Sequence, residues 1–302
     1  MRSSHKAFRR EISMNDVSIS GPGRVEIGQH CSIGRNVRVI FSGPDSVLAL
    51  GDCVTLGDNV KLIVAAGSVR IGDWSALHEN TLVLCTGGVD IAQHCWFGQN
   101  TILDGTGGLR IDDGVRVGMY SQIWSHVGAG ELIEGCTLLA ERPVHIESDV
   151  WLVGSCIVSP GVVVRRRTVA LIGSNLTKDT AASSVMAGAP AKPKEQMAFY
   201  TPLTLEAKFA MLTVWLAEFA ANSGYVLLSA TDELTVHGEG EWVRFVRTAE
   251  QFAQAAAGAR SPGGTLCCVE NKLYLKCLGM LERRLLKFLG GNKARFYTAP
   301  RL

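Results

Sequence analysis

Residues 146–164, IESDVWLVGSCIVSPGVVV, set apolar residues six positions apart: Ile146, Leu152, Val158 and Val164, with Val150, Cys156 and Val162 each four places after the first three. An α-helix turns about 100° per residue, so positions six apart are rotated by roughly 240° and cannot share one buried stripe. In a strand such positions point the same way, yet Asp149, Pro160 and Gly161 interrupt any long strand. Short strands joined by sharp corners remain. Three six-residue faces then close a triangular coil whose interior is filled by the aliphatic side chains, which is a β-solenoid.

The same unit recurs upstream as IGQHCSIGRNVRV from Ile27, LGDCVTLGDNVKL from Leu50, IGDWSALHENTLV from Ile71, IAQHCWFGQNTIL from Ile91 and IDDGVRVGMYSQI from Ile111. These starts are 23, 21, 20 and 20 residues apart, slightly more than three hexapeptides, so one corner per coil carries a few extra residues. The next interval, Ile111 to Ile146, is 35. About one coil's worth of chain, roughly residues 125–144, must therefore leave the solenoid as an extended loop, and long loops in compact domains tend to be functional. From Val144 the spacing is strict through Ala170 and Leu176, and it stops at TKDTAASSVMAGAPAKPK. This turn-rich segment is placed to cap the open end of the stack, where backbone and core would otherwise be exposed.

The pattern thus predicts a mainly β chain: a lead-in over 1–24, a solenoid over 25–195 and an α+β appendage over 200–302. In the appendage LTLEAKFAMLTVWLAEFAANSG reads as a helix ended by Gly224, and YVLLSA, LTVHGEGEWVRFVRT and TLCCVENKLYLKCL read as strands. Thr248 and Gln251 form a capping box that starts a short helix. No motif in the tail assigns it a role.

Composition narrows the function classes. A net charge of +2 gives no sign of nucleic-acid binding, and the run Arg165, Arg166, Arg167 reads as a solvated corner. The opening MRSSHKAFRREISMND has no apolar core of a secretion signal, and the apolar segment 209–219 is broken by Thr213 and Glu218, so neither export nor a membrane span is expected. Nine cysteines without a CxxC pair, three of them (Cys31, Cys95 and Cys156) in the small-residue slot of the repeat, fit reduced core thiols in a cytoplasmic protein.

With repeats, loop and ending in place, the chain resembles the hexapeptide-repeat acyltransferases, enzymes built on a left-handed parallel β-helix, and within them the xenobiotic, galactoside and polysaccharide O-acetyltransferase group. The similarity is most specific over residues 144–192, where VWLVGSCIVSPGVVV, TKD and GAPAK follow the family pattern without a gap. The glycine positions that follow Trp151 and Val164 in that pattern hold other residues here, Leu152 and Val153 after the first and Arg165 after the second. The resemblance implies acetyl-coenzyme A as co-substrate, no metal ion and a homotrimer. It places Trp151 beside the pantetheine arm, Gly154, Ile172, Gly173 and Thr177 along it, and Lys178 and Lys192 near the phosphates. It also implies that the loop histidine of one chain reaches the cofactor groove of a neighbour.

Acetyl transfer to a hydroxyl or amine needs a general base, because a neutral alcohol attacks a thioester slowly, and histidine suits neutral pH. Of the seven histidines, His126 lies at the root of the loop, in QIWSHVGAG, where similar enzymes keep their catalytic histidine. His30 and His94 share one turn position in two coils and read as solvent-facing corners; His78 sits in a glycine slot and His145 flanks the re-entry. Glu131, Glu134, Glu141, Asp112 and Asp113 are near in sequence, but no spacing singles out a partner for His126. Outward tryptophans at 74, 96, 124 and 151 ask for a contact surface.

The expected activity is transfer of an acetyl group to a hydroxyl of a sugar or polysaccharide precursor. The alternatives are N-acetylation of a nucleotide-linked amino sugar and a noncatalytic scaffold. A zinc-dependent anhydrase on the same solenoid is disfavoured, since the intervals of 16 and 32 residues between His78, His94 and His126 provide no close histidine pair.

Overall fold

The computed structural model describes residues 17–258 and 263–299. They form two compact units, divided at Tyr200 and Thr201.

In the first unit the chain winds round three parallel sheets, visiting each once per coil. The first face stacks eight strands, from Val17–Ser20 through Ile102–Gly105 and Gln122–Ile123 to Asn175–Leu176. The second stacks seven, and the third stacks nine, of which the last, Lys192–Pro193, turns back antiparallel to Val185–Ala187. The six-residue spacing is the path round this triangle. Val117, Leu152 and Ala170 lie in one inward column, Ile123, Val158 and Leu176 in another, and Ile111, Ile146 and Val164 in the third. All nine are essentially inaccessible to water, and each buried Val, Leu or Ile among them contributes about 1.5–3 kcal/mol relative to exposure.

Corners hold the coils at backbone distance. A Cβ added at Gly118 would fall 1.9 Å from the Val153 carbonyl oxygen, so this corner accepts only glycine. The extra residues of each coil gather at the corner between the first and second faces, as in Thr106, Gly107 and Gly108. The excursion leaves at this same corner: Ser125 to Pro143 bulge out, with His126–Gly128 and Leu139–Glu141 paired as an antiparallel hairpin round a short 3-10 turn at Leu132–Glu134.

The strand Val17–Ser20 pairs in register with Val37–Phe41 ahead of the first repeat. Two expectations are corrected. His94 is not a solvent-facing corner; it is buried, its ring stacked flat on Trp74 of the preceding coil at 6.1 Å. Trp74, Trp96 and Trp124 are only half-exposed, each lying against a histidine ring, which leaves Trp151 as the exposed member of the four.

The second unit is a six-stranded mixed sheet in chain order with three helices. Helix α1, Leu205–Ser223, is capped by Thr204 and ended by Gly224 in the left-handed region, and α2, Ala249–Gly258, starts on the reciprocal bonds of Thr248 and Gln251. Helix α3, Met280–Gly290, carries no local side-chain cap; Glu241, from the strand Glu241–Val246, accepts from Met280 N and Leu281 N instead. Burial pushes the carboxyl of Glu282 up, although Thr265 and the amides of Cys277 and Leu278 donate to it. No described helix is long and apolar enough to cross a membrane.

The inside–outside register can be tested by a pair of substitutions. Leu152→Ala, in the core, should cost about 2–5 kcal/mol. Ile172→Ala, at a position 73% exposed, should stay within about 0.5 kcal/mol. Urea unfolding monitored by circular dichroism measures both.

Candidate functional site

On the first face Ile40, Ile63, Leu84 and Asp104 are successive partners in one outward column. Three aliphatics therefore give way to a carboxylate in the coil just before the chain departs. Asp104 is fully buried, and it is buried because it is saturated with donors. Its Oδ2 accepts from Ser125 N at 2.8 Å, Ser125 Oγ at 3.0 Å and His126 N at 3.0 Å, and lies 2.8 Å from His126 Nδ1. Its Oδ1 accepts from Thr106 Oγ1 at 2.6 Å and Thr106 N at 3.2 Å. Ser125 Oγ in turn accepts from Gly107 N at 2.9 Å, and Arg142 N closes the root of the loop on Ser125 O at 2.9 Å. One side chain thus ties both ends of the corner to the first two residues of the excursion.

Burial alone would raise the carboxyl of Asp104, but the hydrogen bonds from Thr106, His126 and Ser125 outweigh it and hold the group below its ordinary value. An ionised carboxylate only accepts, so the proton between the pair sits on Nδ1 and the lone pair on Nε2. The imidazole side chain is 37% exposed, which leaves Nε2 able to meet a ligand. A buried acceptor behind an accessible, tautomer-fixed imidazole is the arrangement a general base requires.

Asp104 was absent from the sequence-based candidates. Asp112, weighed there, instead faces His145 Nε2 at 2.8 Å and accepts from Arg110 Nε at 2.9 Å. The break in the aliphatic column was the available signal, and it becomes visible once the coils are laid in register.

The residues assigned to the cofactor divide between two edges. Trp151 stands on the third face between Arg116 and Val169 and is 46% exposed. Gly154, Ile172 and Gly173 form the edge between the third and first faces, with Gly173 N donating to Gly154 O at 2.9 Å. Lys192 pairs with Ala187 beside that edge. Thr177 and Lys178 follow the strand Asn175–Leu176 and so lie at the opposite end of the first face, on the edge that carries His126. A Cβ at Gly154 would approach nothing nearer than 3.6 Å, and one at Gly173 nothing within 4 Å. Open backbone beside an exposed indole suits a narrow, extended ligand arm. Among the described residues no group of three metal-ligating side chains converges.

No protein-family model matches the chain. Among solved structures, the polysialic-acid-specific acetyltransferase NeuO superposes with a TM-score of 0.53 at 18% identity, over 68% of this chain and 92% of that one. The fold is the left-handed parallel β-helix of hexapeptide-repeat acetyltransferases. The polysialic acid O-acetyltransferase OatWY (TM-score 0.36, 18% identity, 67% of this chain and 94% of that one) is also similar. So is a variant of AntD, an N-acyltransferase from Bacillus cereus in complex with dTDP and coenzyme A (0.36, 14%, 65% and 93%). At these identities the likeness defines the fold, and chemistry has to be argued from the side chains.

The depressed carboxyl of Asp104 makes stability depend on pH with a definite sign. Its contribution is complete above the unfolded value, about 3.9, and is lost as pH falls through the lower folded value. Asp104→Asn should therefore destabilise the protein at pH 7 by about 1–3 kcal/mol. It should also flatten the decline in stability below about pH 4. Denaturant titrations at pH 7, 4 and 3 measure both effects, and an unchanged acid slope would contradict the assignment.

Proposed function

We propose that the chain is an acetyl-coenzyme A-dependent O-acetyltransferase acting on a hydroxyl of a sugar or polysaccharide precursor. The observation that carries this reading is the Asp104–His126 pair, in which a buried, ionised carboxylate orients an accessible imidazole. His126 Nε2 takes the proton of the acceptor hydroxyl while its oxygen attacks the thioester carbonyl. The tetrahedral oxyanion collapses, the thiolate leaves, and the imidazolium returns the proton. Asp104 positions the ring and stabilises its protonated form without taking the proton itself. A neutral alcohol is a weak nucleophile, so a hydroxyl acceptor depends on this base during its attack.

Acetyl-coenzyme A is a co-substrate in this scheme. Trp151, Gly154, Ile172 and Gly173 of one chain would take its arm along the open edge, with Lys192 beside them as a cation for its phosphates, while Thr177 and Lys178, on the edge that carries His126, would reach the same cofactor from the neighbouring chain. In a triangular coil the edge bearing His126 lies opposite the face bearing Trp151, so one chain points its base away from its own groove. Three chains around an axis resolve this by presenting the loop of one to the groove of the next, with equivalent sites under cyclic symmetry. A homotrimer is accordingly part of the proposal.

His126→Ala should lower turnover at least about a hundredfold with coenzyme A affinity unchanged. Lys192→Ala should mainly weaken coenzyme A binding, measured by calorimetry. Co-expression of His126→Ala chains with Trp151→Ala chains should restore part of the activity through hybrid sites. A monomer in light scattering, or proven hybrid trimers without recovery, would exclude the shared site.

A further inference from the structure

We propose that Trp124 is the platform on which a pyranose ring of the acceptor stacks beside His126, so that the enzyme selects cyclic sugars over open-chain hydroxyl compounds. This rests on the acetyltransferase reading and assigns its acceptor side, which none of the residues placed along coenzyme A covers.

Trp124 is the last residue of the first face before the chain departs, two positions ahead of His126. Its Nε1 donates to Gln122 Oε1 at 3.0 Å, from a residue on the same outward face. The polar demand of the indole is thereby met within the protein and the ring plane is fixed before any ligand arrives. The ring meets His126 edge to face, with centroids 6.1 Å apart and planes at 70°. The tryptophans of the earlier coils differ: Trp74 is stacked flat against His94, at an interplanar angle of 4°, and Trp96 is tilted against His78 at 5.0 Å. At Trp124 the imidazole crosses the indole plane steeply instead of lying flat over it, and the indole stays partly exposed beside the base. Past the strand Ile157–Val158 of the next coil, the chain continues with the small Ser159.

A pyranose has the complementary chemistry. Its axial C–H bonds form an apolar patch with partial positive charge, which matches the electron-rich face of an indole, while its hydroxyls project round the rim. Stacking desolvates the patch and holds one rim hydroxyl towards Nε2, converting a freely rotating nucleophile into an oriented one. An open-chain polyol has no continuous apolar face and gains neither effect.

The test compares thiol release from acetyl-coenzyme A with methyl glycosides of galactose, N-acetylglucosamine and sialic acid against sorbitol. The wild-type protein should prefer at least one pyranoside to sorbitol by tenfold or more in kcat/KM. Trp124→Ala should raise KM for that pyranoside about tenfold, the scale of one aromatic contact, and collapse the preference. Trp124→Phe should retain most of it. Equal use of sorbitol, no use of any pyranoside, or an unchanged preference in Trp124→Ala overturns the platform. A merely structural role, in which Trp124 props up His126, would lower kcat for all acceptors alike and leave the preference intact, which also overturns it. Calorimetry of coenzyme A with the wild-type protein separates the two levels: binding without pyranoside preference removes the platform alone, whereas no binding removes the transferase reading and the platform with it.

Discussion

Everything in the first unit follows from backbone stacked directly on backbone. Each inward side chain rests on its counterpart one coil away, and corners such as Gly118 leave no room even for a methyl group. An insertion cannot be absorbed inside such a column, because one extra residue would turn the whole strand inside out. Additional chain has to be expelled at a corner, and the corner between the first and second faces is already the loosest. The position of the excursion is therefore a result of packing.

Expulsion alone would give a floppy loop. Asp104 supplies the constraint, since its two oxygens are shared among Thr106, Ser125 and His126, and so the departing chain is fastened within two residues of leaving the solenoid. The cost of burying a carboxylate is met by several donors acting together. The same bonds fix the imidazole, which makes loop anchoring and ring orientation one interaction.

The solenoid, its period and the excursion were legible in the sequence because repetition makes both the rule and its interruption visible. His126 was legible as a consequence of that interruption. Asp104 was not, because its significance lies in the column Ile40, Ile63, Leu84, whose members are more than twenty residues apart and align only in space. His94 was misread for a related reason: its neighbour Trp74 belongs to another coil. In the second unit α1 and α2 announced themselves through local caps, whereas α3 begins on Glu241, roughly forty residues upstream, and no local cap marks its start. In each case the missing information was a contact distant in sequence.

The linear stack also governs how the molecule comes apart. Each coil touches only its neighbours, so opening proceeds as fraying from the ends, in the manner of a zipper. The strand Gln122–Ile123, from which the excursion departs, is sixth of eight on its face. Two coils shield it from one end and five from the other. Transient loss of a terminal coil therefore leaves the Asp104–His126 pair assembled, insulated from local unfolding at either end.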